Sequence, residues 1–234
     1  MKNFINISDL SKNELRSIID GAKKRKLERG KKPNSEPDID QPIKGKTMIM
    51  LFAKPSTRTR ISFDLAVKQL GGSSIILNHD EIHYGKGDET IKDTAKVLSQ
   101  YSDILMIRTN SHKNIDEFKK YLDIPIINGL TDKGHPCQVM SDILTFEELK
   151  GDIKGKTISW IGDGNNVLGS DSGNPIRGIR RTMPSKTRAW QVPFAIIRNN
   201  TMGLVYDIPQ NCPVLLAISC SFIHRKHVLP TLRG

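Results

Sequence analysis

Seven residues, Lys54-Pro55-Ser56-Thr57-Arg58-Thr59-Arg60, separate two stretches of different pattern. Before them, Thr47-Met48-Ile49-Met50-Leu51-Phe52-Ala53 is short, apolar and flanked by charge and proline, which predicts a buried strand. After them, Ile61, Phe63, Leu65, Ala66, Val67 and Leu70 recur at near-helical spacing until Gly71-Gly72 supplies a stop. The seven residues therefore form a strand-to-helix turn, with Ser56 or Thr57 as the N-cap. Unbonded backbone N–H groups and the positive end of the helix dipole make such a turn receptive to an anion. Capping needs one hydroxyl; here three hydroxyl residues alternate with two arginines over five positions, a donor set suited to a phosphate.

Further strands and helices alternate along the chain. A capping box, Ser11-Lys12-Asn13-Glu14, opens a helix to about Leu27 with Leu15, Ile18, Ile19 and Ala22 on one face. Its basic end, Lys23 to Lys32, reads as a solvated last turn. Strands are predicted at Ser74–Leu77, Asp103–Arg108, Pro125–Asn128 and Thr157–Ile161. Helices are predicted at Ile91–Tyr101, Lys113–Leu122 and Pro136–Leu149. This order predicts an α/β fold, a parallel sheet with helices on both faces. Ligands of such sheets bind beyond the carboxyl ends of the strands. The polar clusters there are Ser56 to Arg60, Arg108, His135 to Gln138, and Asp163 to Asn166.

Composition narrows the function classes. With 37% hydrophobic and 26% charged residues the 234-residue chain reads as soluble and globular, and no apolar run approaches the roughly 18 residues of a membrane span. No signal-like segment follows Met1, and Cys137, Cys212 and Cys220 show neither metal-ligand spacing nor an even framework; a cytoplasmic location is expected. The net charge of +11 is uneven: residues 171–234 hold 9 basic and 2 acidic side chains, against 27 and 23 before them. That basic tail lacks any aromatic stacking pattern, so no nucleic-acid partner is expected.

The segment FAKPSTRTRISFDLAVKQLGG, Phe52 to Gly72, resembles the carbamoyl phosphate signature of the aspartate/ornithine carbamoyltransferase family. His135-Pro136-Cys137-Gln138 matches the family's His-Pro-x-Gln, in the form typical of its ornithine enzymes. The resemblance implies that Ser56, Thr57, Arg58 and Thr59 bind the phosphate while Arg108, His135 and Gln138 polarise the carbamoyl group, Pro136 and Cys137 lying in the same motif. Arg58, Arg108 and His135 are the implied catalytic residues. The loop from His83 to Glu89 corresponds to one that reaches a neighbouring subunit's site; the family usually presents a Gln there, and this sequence has His83 or Tyr84 and one extra residue, His83 being taken as the counterpart. Asp163-Gly164-Asn165-Asn166-Val167 resembles the ornithine-side motif, which maps the amino-acid contact to Asn166. As a dinucleotide fingerprint it fails, because Val167 stands where the third glycine belongs. No metal or organic cofactor is implied. The implied substrates are carbamoyl phosphate and L-ornithine, and the implied assembly is a homo-oligomer, commonly a trimer.

The resemblance is continuous to about residue 170. Residues 1–140 are expected to form the carbamoyl phosphate-binding domain and 141–234 an incomplete second α/β domain, altered after about residue 170. The altered stretch holds half of the chain's 12 prolines, and its one good strand candidate is Val214–Ile218. The family's Asp-x-x-x-Ser-Met-Gly loop is missing. His227-Val228-Leu229-Pro230-Thr231-Leu232-Arg233-Gly234 resembles the family's His-Cys-Leu-Pro-x-x-Arg-Gly, which would make Leu229 an ornithine contact and put Val228 in place of a cysteine. Erosion and a reading-frame change near residue 170 both account for this; the abrupt shift in charge and proline favours the latter. Ornithine carbamoyltransfer, aspartate carbamoyltransfer and non-catalytic carbamoyl phosphate binding are the readings that remain.

Overall fold

In a computed structural model, residues 2–78 and 89–154 are described, together with the backbones of two strands, Thr157–Ile161 and Phe194–Arg198. The order is α1 (Lys12–Arg29), β1 (Thr47–Phe52), α2 (Thr57–Gln69), β2 (Ser73–Asn78), α3 (Ile91–Tyr101), β3 (Ile104–Arg108), α4 (His112–Tyr121), β4 (Ile126–Leu130), α5 (Pro136–Lys150), β5 (Thr157–Ile161) and β6 (Phe194–Arg198). Every element expected up to β5 is present, with ends shifted by a residue or two. The capping box is formed: Ser11 Oγ accepts from the Glu14 N–H at 3.3 Å and Glu14 Oε2 from the Ser11 N–H at 2.8 Å.

The first four strands form one sheet, in the order β2-β1-β3-β4, and all its pairings are parallel. Strand alternation divides the apolar residues between two cores. Met48, Met50, Phe52, Ile104, Met106 and Ile127 face α1, α2 and α5. Ile49, Leu51, Leu105, Ile107 and Ile126 face Ala95 and Leu98 of α3 and Ile115 and Phe118 of α4. This is the doubly covered parallel sheet that the βα alternation predicts. The edge of β4 is closed by the segment before α1: Phe4 N–H donates to the Ile126 carbonyl at 2.8 Å, and Asn128 N–H to the Phe4 carbonyl at 2.9 Å.

Three readings need correction or completion. Ile61, assigned to the apolar face of α2, is 52% exposed. The buried stripe of α2 is Thr59, Ser62, Phe63, Ala66 and Val67, which leaves Ile61 on the far side. The basic end of α1 is not simply solvated. Arg29 is buried and paired with Asp38, Arg25 bonds Asp38 and Asp40, and Lys26 reaches Glu148 at 2.6 Å. Acidic partners distant in sequence hid this from a local reading. Beyond residue 170, β6 is a strand that alternation did not reveal, and it pairs antiparallel with β5. Val214–Ile218 and the 227–234 motif lie outside the described residues, as does the loop at 79–88.

Glu147 fastens α5 to α1. Its side chain is 1% exposed and accepts from Arg16 Nη1 at 2.7 Å, Arg16 Nη2 at 2.9 Å and Lys23 Nζ at 2.6 Å. The Arg16 bonds, then those from Lys23, hold its carboxyl down at about 2 against an ordinary 4.5. A folded value below the unfolded one stabilises above about pH 4.5, and that stabilisation fades as pH falls towards 2. Glu147→Gln should therefore cost roughly 1–3 kcal/mol at neutral pH, because it removes charge-assisted hydrogen bonds from two part-exposed cations. Urea unfolding at a series of pH values should show the gap between parent and variant closing below pH 4.5.

Candidate anion site at the strand ends

The parallel register ends β1 and β3 together: Phe52 lies opposite Arg108, and the Ala53 N–H donates to the Arg108 carbonyl at 2.8 Å. The chain leaving β1 turns through Lys54-Pro55 into α2, with Ser56 as the extended N-cap residue. Ser56 makes no side-chain capping bond, so its hydroxyl is not committed to the helix it starts. Thr57, Arg58 and Arg60 are exposed, whereas Thr59 is 1% exposed and turned inwards. Arg108 Nη1 donates to Thr59 Oγ1 at 3.3 Å and to the Gly129 carbonyl at 3.4 Å. Its Nε is buried and has no hydrogen-bond partner among the described residues. Burial draws the guanidinium below its ordinary value, yet arginine remains cationic at any physiological pH.

His135 is the N-cap residue of α5, with Pro136 in the first turn where its missing N–H costs nothing. The imidazole is 1% exposed. Burial, then the charges of Arg108 and Lys54, push it down to about 3, so it is neutral at pH 7. Gln138 is buried one turn into α5, and its Nε2 donates to Asp142 Oδ1 at 2.7 Å. The first three predicted polar clusters thus meet at one end of the sheet. Cys137 differs from its neighbours: its side chain packs in the apolar core and Sγ donates to the Asn128 carbonyl at 3.4 Å. His83, Asn166 and Leu229 lie outside the described residues.

Sequence reasoning named Lys54 only as part of the motif and passed over Asn128, Thr131 and Asp132. Burial and the nearby Arg108 lower the Lys54 ammonium below its ordinary value, while Asp132 opposes that shift. The signal for Lys54 was its place directly before the hydroxyl-arginine run. Asn128 was visible as a polar residue closing an apolar strand. Among the described residues here, the cations Lys54, Arg58, Arg60 and Arg108 outnumber the carboxylates Asp132 and Asp142, and neutral His135 adds a hydrogen-bonding group without further charge. Such a set suits an oxyanion bound beside a carbonyl.

The buried imidazole gives a measurable acid response. An unfolded histidine takes its proton near pH 6.5 and folded His135 only near 3, so acidification across that window favours unfolding. The contribution is at most about 1.4 kcal/mol per pH unit. His135→Gln should lack it, and chemical denaturation should show the variant gaining stability relative to the parent between pH 6.5 and 3.

The chain is similar to known proteins over its first 148 residues and somewhat beyond. The family described as "Aspartate/ornithine carbamoyltransferase, carbamoyl-P binding domain" matches residues 2–148. An ornithine carbamoyltransferase of Brucella ovis is 51% identical over 172 residues, 73% of this chain and 53% of that protein. That of Caulobacter vibrioides is 52% identical over 169 residues, covering 72% of this chain and 54% of the relative. The solved structure of ornithine carbamoyltransferase from Pyrococcus furiosus superposes with a TM-score of 0.65 at 42% identity, over 71% of this chain and 51% of its own. This chain spans about half the length of the relatives it matches. On its matched residues, the chain belongs to the aspartate/ornithine carbamoyltransferase family.

Proposed function

We propose that residues 1–140 form a carbamoyl phosphate-binding domain, and that the reaction they serve is carbamoyl transfer to L-ornithine, giving L-citrulline and phosphate. The observation that carries this reading is the meeting of buried Thr59, half-buried Arg108 and neutral His135 at the sheet's carboxyl end. The relatives named ornithine carbamoyltransferase support the acceptor. In this reading Ser56, Thr57, Arg58 and Thr59 hold the phosphate through hydroxyls, guanidinium and the α2 N-terminus. Arg108 and His135 donate to the carbamoyl oxygen, with Gln138 beside them.

The neutral amine of ornithine attacks the carbamoyl carbon, and negative charge develops on the carbonyl oxygen. The C–O bond to phosphate then breaks, and phosphate leaves with the electron pair and takes up the proton that the attacking nitrogen loses. Fixed donors stabilise both developing charges without reorganising, and holding the two substrates together removes an entropic barrier. His135 acts here as a neutral hydrogen-bond donor through its single ring N–H, since the imidazole is not an imidazolium at pH 7 and is no general acid. Residues 141–234, with Asn166 and Leu229, would supply the ornithine side. His83 of a neighbouring subunit would complete the site in a cytoplasmic homo-oligomer, a trimer by family resemblance.

A second reading is a carbamoyl phosphate binder without turnover; it is favoured by the lack of the Asp-x-x-x-Ser-Met-Gly loop in the sequence. Thermal unfolding with carbamoyl phosphate, with inorganic phosphate as control, tests the shared part. At about a hundred times the dissociation constant the ligand should stabilise by roughly 2.7 kcal/mol, and Arg58→Ala should abolish the shift. Citrulline formation then separates enzyme from binder, and carbamoyl-aspartate in its place would reassign the acceptor.

A further inference from the structure

The end of β4 is irregular. Ile107 of β3 pairs with Asn128 but Arg108 pairs with Leu130, so Gly129 is an extra residue in the ladder. A larger residue there would be crowded: a Cβ would lie 2.4 Å from Met106 Sδ and 3.3 Å from the Ile107 carbonyl oxygen, so the buried Met106 side chain would have to move. Leu130 follows at φ 152°, a backbone conformation that side chains rarely adopt. A bulge and a strained residue beside a polar cluster persist only if something over-determines them.

Asn128 does so. Its side chain is fully buried, and each end of the carboxamide is committed. Oδ1 accepts from the Leu130 N–H at 2.9 Å, which satisfies the amide that the displaced strand end presents. Nδ2 donates to the Ile5 carbonyl at 2.9 Å and to the Gly134 carbonyl at 3.4 Å. The Asn128 backbone carbonyl accepts from Cys137 Sγ. Residues on both sides of His135, Gly134 and Cys137, are therefore tied to Asn128. The bulge also turns the Gly129 carbonyl towards Arg108 Nη1. A serine at 128 has neither the reach nor the two-ended hydrogen bonding to replace this set.

We infer that Asn128 is a positioning residue of the anion site: its carboxamide fixes both the turn that carries His135 and the displaced strand end that meets Arg108. The inference rests on the anion-site reading for its functional meaning, but the geometry of the turn is tested separately. It touches neither ligand nor reacting atoms and acts through its neighbours.

The test uses the full chain with carbon-13-labelled histidine, the His135 resonance being assigned with His135→Gln. The parent, Asn128→Ser and Ile127→Val are compared, the last removing core packing from the same strand while leaving the carboxamide intact. The expected result is that Asn128→Ser raises the protonation midpoint of His135 by at least a pH unit and weakens inorganic phosphate binding about tenfold. Ile127→Val should lower the melting temperature and change neither. If Asn128→Ser lowers only the melting temperature, the inference is overturned. If phosphate binds neither parent nor variant, the anion reading fails, while the His135 midpoint still decides the role of Asn128. Should the serine variant not fold, the parent's Asn128 side-chain N–H2 resonances provide the reading. They should shift as His135 titrates, and resonances that stay fixed through that midpoint overturn the inference.

Discussion

Phe52 and Arg108 end their strands side by side, and the Ala53 N–H bond to the Arg108 carbonyl holds the two chain exits at one level. A slip of one residue in that register would turn Met48 and Met50 from one core to the other and take Arg108 off the Thr59 hydroxyl. Both strands are apolar on both faces, so what opposes the slip is side-chain shape: Met48, Met50 and Phe52 fit one core, Ile49 and Leu51 the other. The site is thus located by packing rather than by its own attractions. That ordering suits a group of cations, which repel each other and have no means of assembling themselves.

Burial sets the character of these groups. Arg108 is held where water is scarce, with a guanidinium edge that finds no protein acceptor among the described residues. Such an arrangement costs stability in the absence of an anion and raises the value of one when it arrives. The same scarcity of water keeps His135 neutral, aided by the charges of Arg108 and Lys54. One environment thus gives two neighbouring donors different charge states, which is useful where a carbonyl and a phosphate must be told apart.

Much of this was legible in the residues. A short apolar run flanked by charge and proline identified β1, a second apolar run identified β3, and the hydroxyl-arginine run after β1 identified the anion turn. Arg108 and His135 could be placed because strand ends of a parallel sheet share one side. Ile61 was misassigned because its apolar character said nothing about which side of α2 faced the sheet. The pairing of Arg29 with Asp38 and of Glu147 with Arg16 escaped because the partners lie in other elements, and charge along a helix cannot reveal them. Asn128 escaped for a different reason: its importance lies in a register shift, which only the paired strands display.

The segment that closes the edge of β4 has a temporal consequence. The Ile5 carbonyl that receives Asn128 Nδ2 is separated from it by 123 residues of sequence. During synthesis, Asn3 to Ile5 leave the ribosome long before the strand they cover exists. The three-stranded β2-β1-β3 sheet can form first, but β4 and its flanking segment must close on it together. The turn bearing His135 is therefore among the last parts of the domain to acquire its shape, and a nascent chain halted before residue 128 would hold Arg108 with no formed site around it.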